Sequence, residues 1–178
     1  MNSDETTSPG LELRAVFGYA SDRGLRREQN EDSLIAADPV FAVADGMGGH
    51  EAGEVASSIC VRTLGEAPFV GEHLQEVGAD ELRALLHEAD TRIREATGGR
   101  AGTTVTGAVL VSGNGVPCWL VFNVGDSRTY RLTGGVLEQI TVDHSEVQEL
   151  VDMGQITPDE ALIHPRRHVV TRALGTGS

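Results

Sequence analysis

The run Val43-Ala44-Asp45-Gly46-Met47-Gly48-Gly49-His50-Glu51-Ala52-Gly53-Glu54-Val55 constrains this chain more than any other stretch. An apolar segment, residues 40–44, stops at an aspartate, and four of the next eight residues are glycine. Each glycine raises the entropy cost of ordering the backbone, so folding alone gives little reason to cluster them. Something must approach the main chain closely here, and Asp45 must hold something. The spacing Gly48-x-x-x-x-Gly53 mimics a phosphate loop, but Glu54 stands where lysine belongs. Gly46-x-Gly48 also lacks the third glycine of a dinucleotide fingerprint. A hard divalent cation, which prefers carboxylate and carbonyl oxygens, suits an Asp-Gly unit at a strand end. The plainer alternative is a glycine turn with Asp45 capping a helix.

Periodicity gives the surroundings of that run. Residues 11–20 alternate like a strand, and 33–37 and 40–44 form two more, joined by a turn at Asp38-Pro39. From Gly53 to about Ala67, Val55, Ala56, Ile59, Cys60, Thr63 and Leu64 make a helical stripe. A second helix, about 80–96, carries Leu82, Leu85, Leu86, Ala89 and Ile93 on one face. The period then changes to two. Residues 103–111 and 116–124 flank Asn114-Gly115, a hairpin pattern, and 129–132 and 136–141 turn on Gly134-Gly135. Two capping boxes follow, Ser145-x-x-Gln148 and Thr157-Pro158-Asp159-Glu160, and open short helices outside the hairpin series. Helices in blocks and antiparallel strands in others give an α+β class.

At 178 residues the chain suits one domain after a polar tail, 1–10. It lacks a signal-peptide pattern at its start and any apolar run long enough to span a membrane. A net charge of -13 opposes unaided binding to nucleic acid or an anionic membrane. All fourteen basic residues are arginine, which removes catalytic-lysine and Schiff-base chemistry. Cys60 and Cys118 lie in apolar surroundings and read as buried, reduced thiols of a cytoplasmic protein.

Two further acidic sites favour the metal. Upstream, Arg27 precedes Glu31 and Asp32 in "RGLRREQNEDS"; downstream, "FNVGDSR" puts Asp126 after another apolar strand. Carboxylates at strand ends converge easily on one sheet edge, and a guanidinium beside them can bind phosphate in bidentate fashion.

These residues bring a family into view. The segments "SDRGLRREQNEDS" (21–33), "VADGMGGHEAGEVAS" (43–57), "GTTVTGAVL" (102–110), "NVGDSRTYRL" (123–132) and 139–175 resemble, in order, the bacterial metal-dependent Ser/Thr protein phosphatases of type 2C. The resemblance implies a four-layer αββα sandwich, with residues 11–178 the N-terminal portion of the catalytic domain and about 143–170 its flap. It implies two manganese or magnesium ions, bridged by Asp45 and touched by the Gly46 carbonyl, with Glu31 and Asp32 holding metal-bound waters or the second metal. Arg27 is then the phosphate clamp, and Asp126 the ligand of a third, weaker ion. The implied reaction is hydrolysis of phosphoserine and phosphothreonine by a metal-bridging hydroxide, on phosphoproteins supplied by a cognate Ser/Thr kinase. Met47 stands where many members have histidine, so metal-bound water replaces that proton donor; His50, His144, His164 and His168 read as structural.

The family's later Ser-Asp-Gly and Asp-Asn pairs have no counterpart after Asp126. The expectation is therefore a C-terminally incomplete sandwich with a thin ligand set, weak metal binding and little turnover by itself. The alternative is a non-catalytic phosphatase-like module that binds phosphoproteins or a regulator.

Overall fold

The computed structural model describes residues 15–25, 27–49, 52–71 and 76–177. Eleven elements follow one another: β1 (Asp32–Ala37), β2 (Val40–Gly48), α1 (Ala52–Gly65), α2 (Ala79–Thr97), β3 (Ala101–Thr103), β4 (Val105–Gly113), β5 (Val116–Val124), β6 (Tyr130–Thr133), β7 (Val136–Gln139), α3 (Glu146–Asp152) and α4 (Pro158–Ile163). The class is α+β. The main sheet is antiparallel in the order β1-β2-β4-β5, with β3 pairing the far end of β2. Strands β6 and β7 form a separate ribbon. Helix α1 packs on β1, β2 and β3, and α2 packs on α1, so the described residues supply one helical layer and one main sheet.

Alternation in β2 sets up everything that follows. Val40, Ala42 and Ala44 point into the core, where Ala56, Ile59, Cys60 and Leu64 of α1 meet them, with Leu82 and Ile93 of α2 behind. Phe41, Val43 and Asp45 therefore face the opposite side of the sheet. That side is open: Val43 is 49% exposed, and Trp119 of β5, in edge contact with Phe41, is 51% exposed.

Several sequence expectations shift here. Residues 15–20 form no strand, and 11–14 lie outside the described residues. Strand β2 does not stop at Ala44. It runs to Gly48 because β3 hydrogen-bonds to residues 46–48, which places Asp45 inside a strand rather than at its end. The expected strand 103–111 is broken at Thr104, where the chain passes from β3 to β4. Val55 is 42% exposed and drops out of the α1 stripe, replaced by buried Ser57. Cys60 is fully buried, and burial pushes its thiol pKa up to about 12; Cys118 is exposed, on β5 at the edge of the sheet. The Ser145 cap is one-sided, its hydroxyl accepting from the Gln148 N–H, whereas Thr157 and Glu160 form the full reciprocal box.

Candidate active site

The site begins with a cross-strand pair. Asp32, the first residue of β1, stands directly opposite Asp45 on β2, so both side chains project from the open face. The Asp45 carboxylate lies within hydrogen-bonding reach of Asp32 and in the field of Asp126, which sits in the turn after β5. A shallow cavity of about 320 Å³ opens on this pair, lined also by Ser21, Asp22 and Ser127. Partial withdrawal from water, followed by the charges of Asp32 and Asp126, raises the Asp45 pKa above its ordinary value of 3.8. Arg27 pulls it the other way. Arg27 itself is exposed and only loosely held, with its guanidinium 3.8 Å from Glu31. The structure thus brings Asp45, Asp32, Asp126 and Arg27 into one electrostatic neighbourhood.

The glycines explain how Glu31 joins them. The Gly46 N–H donates to the Glu31 carbonyl at 3.1 Å. A Cβ on Gly46 would strike the Gly53 carbonyl and come within 2.7 Å of the Glu31 oxygen. A Cβ on Gly53 would meet the Glu31 carboxylate at 2.8 Å. The end of β2, the start of α1 and the residue before β1 are therefore in backbone contact, which only glycine permits. What approaches the main chain so closely is the protein's own Glu31 and helix α1.

Three hydroxyl residues that sequence reasoning assigned no role hold this arrangement. Ser57, buried on α1, donates to the Glu31 carbonyl at 2.6 Å and touches Ser33 Oγ at 3.0 Å. Thr103 Oγ1 donates to the Asp45 carbonyl at 3.0 Å. Thr104 N–H donates to the same carbonyl at 2.9 Å, and Thr104 Oγ1 accepts from the Asp45 N–H at 3.3 Å. Thr104 Oγ1 also lies 2.6 Å from Ser127 Oγ, tying the Asp126 turn to the Asp45 strand. The trace in sequence was the pair of threonines breaking an apolar strand pattern, and a small polar residue on an otherwise apolar helix stripe.

Asp45 and Asp32 stand opposite each other on neighbouring strands, so their negative charges repel and a cation between them would relieve that repulsion. With Asp126, a Glu31 carboxylate and carbonyl oxygens nearby, the donors are all hard oxygens, as a divalent magnesium or manganese ion requires. The set is thin: among the described residues no three His, Cys, Asp or Glu side chains are gathered so as to hold a metal by themselves. His50 lies outside the described residues. His164 is 3.3 Å from the Arg166 N–H, which donates to its Nδ1, so it acts as a local turn partner.

Fold, site and comparison agree on a class. The family described as Protein phosphatase 2C matches residues 26–173, and the chain belongs to that family. Among individual relatives, the serine/threonine protein phosphatase PstP of Mycobacterium tuberculosis is 44% identical over 175 residues, covering 89% of this chain and 31% of that protein. The serine/threonine phosphatase stp of Listeria monocytogenes is 39% identical, covering 88% of this chain and 66% of its own length. The Ser-Thr phosphatase MsPP of Mycobacterium smegmatis, solved with cacodylate, superposes with a TM-score of 0.76 at 40% identity, over 89% of this chain and 66% of that one. The PstP catalytic domain, solved with two manganese ions, superposes with a TM-score of 0.75 at 36% identity and the same coverage. This chain therefore spans about a third of the first relative and about two thirds of the others.

Proposed function

We propose that this chain forms part of a metal-dependent phosphatase that hydrolyses phosphoserine and phosphothreonine on proteins, with residues 11–178 in one catalytic domain and about 143–170 its flap. The observation that carries this reading is the Asp45 carboxylate, crowded by Asp32 and Asp126 on an open sheet face, with Arg27 supplying opposing charge. The named activity of the relatives and the manganese pair in the PstP structure support it.

Asp45, the Gly46 carbonyl, Glu31, Asp32 and Asp126 are the residues that would hold manganese or magnesium, two ions with a weaker third at Asp126. Such ions, when bound, lower the pKa of water far enough to make hydroxide available near neutral pH. The chain's own residues do the rest. Asp45 is fixed through its backbone by Thr103 and Thr104, so its carboxylate needs little reorganisation to face a cation. Arg27, exposed and weakly engaged, is free to turn its guanidinium onto a phosphate with two parallel N–H donors. Water adds to phosphorus as the bond to the seryl or threonyl oxygen breaks. Met47 has no proton to give that leaving oxygen, so water held at the metal site would have to supply it. Phosphorylated proteins and a cognate Ser/Thr kinase are the proposed partners. No helix among the described residues is long and apolar enough to cross a membrane. The proposed compartment is the cytoplasm, supported by two free cysteines.

The test is phosphate release from a phosphothreonine peptide by the chain extended through the family's two later aspartates. Release should stop on chelation and return with manganese. Hydrolysis indifferent to chelation contradicts the reading, and tight peptide binding without turnover would favour a binding module. In the same assay Arg27→Ala is expected to raise KM about ten- to a hundredfold, the cost of a lost charge-assisted pair. An unchanged kcat/KM removes Arg27 from the site.

A further inference from the structure

Asp126 owes its place to two consecutive residues at the root of the flap. The Gly125 N–H donates to His144 Nδ1 at 3.1 Å, and the His144 N–H donates back to the Gly125 carbonyl at 2.8 Å. On the other side of Asp126, the Arg128 guanidinium grips the buried Asp143 carboxylate, Nε at 2.9 and 3.0 Å and Nη2 at 2.6 Å. Gln139 Nε2 adds a bond to Asp143 at 3.1 Å. The turn that carries Asp126 is thus clamped before and after by Asp143 and His144.

The clamp continues in both directions. Outward, the His144 carbonyl accepts from the Thr171 N–H at 2.8 Å, and the Glu146 N–H donates to the Val169 carbonyl at 3.0 Å, which closes the flap on its own stem. Inward, Gly125 holds φ at +104° and packs on Thr104; a Cβ there would lie 2.6 Å from the Thr104 Cβ. Thr104 is the residue that fixes Asp45. A continuous path therefore runs from the flap stem through His144, Gly125 and Thr104 to the Asp45 strand.

We propose that His144 is a positioning residue: its imidazole Nδ1 and its backbone N–H together fix the Gly125–Ser127 turn, so that Asp126 faces Asp45 only while the flap stem is docked. The proposal rests on the reading that Asp126 belongs to the metal centre. An Nδ1 that accepts an N–H carries no proton, so the ring is the neutral Nε2–H tautomer. Burial, then the charge of Arg172, holds the His144 pKa below its ordinary value and favours that form.

The test compares His144→Leu, which keeps bulk but loses the acceptor, with His144→Asn, whose side-chain oxygen can still accept the Gly125 N–H. Amide exchange and manganese-induced line broadening are followed by NMR. His144→Leu should speed Gly125 exchange about tenfold, the worth of one hydrogen bond. It should also raise severalfold the manganese concentration that broadens 125–127, with less effect at 45–46, and His144→Asn should restore both. Unchanged exchange in a folded His144→Leu, or equal perturbation by Leu and Asn, overturns the proposal. If His144→Leu does not fold, the unmutated protein decides: a protonated Nδ1, or no coupling across the hydrogen bond from Gly125, overturns it equally. Asp126→Asn separates the two ideas. It should raise severalfold the manganese concentration that broadens 125–127 while Gly125 exchange stays slow. A manganese dependence at 125–127 that is unchanged in Asp126→Asn removes Asp126 from the metal centre and overturns the link to it, with Gly125 exchange in His144→Leu still reporting the clamp alone.

Discussion

Asp45→Asn is expected to lower manganese-dependent phosphate release by more than about a hundredfold and, in the absence of metal, to raise the melting temperature. The loss exceeds the ten- to hundredfold that removing even an outer partner of a metal ligand costs. The gain in stability follows from the sign of the pKa shift. The Asp45 pKa is raised in the folded state, first by partial burial and then by Asp32 and Asp126. The folded protein therefore holds this proton more tightly than the unfolded chain. Ionising Asp45 costs the fold nothing well below the ordinary value of 3.8, and the cost grows as pH rises from there through the folded pKa. Above the folded pKa the full penalty is present, and asparagine removes it. A divalent cation removes it too, so wild type should gain stability from manganese and Asp45→Asn should not. Thermal melts with and without manganese, at pH 4 and pH 7.5, check this. A variant that melts below wild type in metal-free buffer at pH 7.5 would show that the carboxylate serves the fold instead.

Gly46→Ala is expected to destabilise the protein by at least about 3 kcal/mol, at the upper end for overpacking, because the atoms in the way are backbone. The new methyl group would strike the Gly53 carbonyl and the Glu31 carbonyl oxygen, and neither can move without shifting α1 or β1. Gly53→Ala should be much milder. Its added atom would meet the movable end of the Glu31 side chain at 2.8 Å and the Gly46 backbone less closely, at 3.0 Å, and alanine gains up to about 1 kcal/mol of helix propensity in α1. Gly49→Ala, with nothing within 4 Å of the added atom, is the control and should be neutral. Urea denaturation of the three variants tests the order. Equal stability of Gly46→Ala and Gly49→Ala would mean that the glycine cluster is not there for close packing.

The difference between those glycines marks what the sequence could and could not disclose. The Asp45-Gly46 unit stood out because an apolar run met clustered glycines, and the hairpins at Asn114-Gly115 and Gly134-Gly135 stood out because their turns need those residues. Both hairpins formed where expected, with Asn114 at φ 53° and Gly115 at φ 76°. The extension of β2 to Gly48 was invisible, because it depends on β3, fifty-odd residues away, and on no local periodicity. The same holds for Ser57, Thr104 and Ser127: each is an ordinary polar residue until the fold sets it against a backbone carbonyl or another hydroxyl. His144 looked like part of a capping segment because its partner, the Gly125 amide, is nineteen positions upstream. Exposed Cys118 was misread from its apolar neighbours, since a run of apolar residues does not reveal that its strand lies at the edge of the sheet.

The central claim is that Asp45, Asp32 and Asp126 meet to hold a divalent ion, and manganese titration of the 178-residue chain followed by amide NMR tests it most directly. With so few carboxylates at hand, binding should be weak, with a dissociation constant on the order of 10⁻⁴ to 10⁻³ M. Paramagnetic broadening should appear first at 31–32, 45–46 and 125–127 and should vanish from all three segments in Asp45→Asn. Broadening that spreads over the acidic surface of α2, or that persists unchanged in Asp45→Asn, would contradict the account.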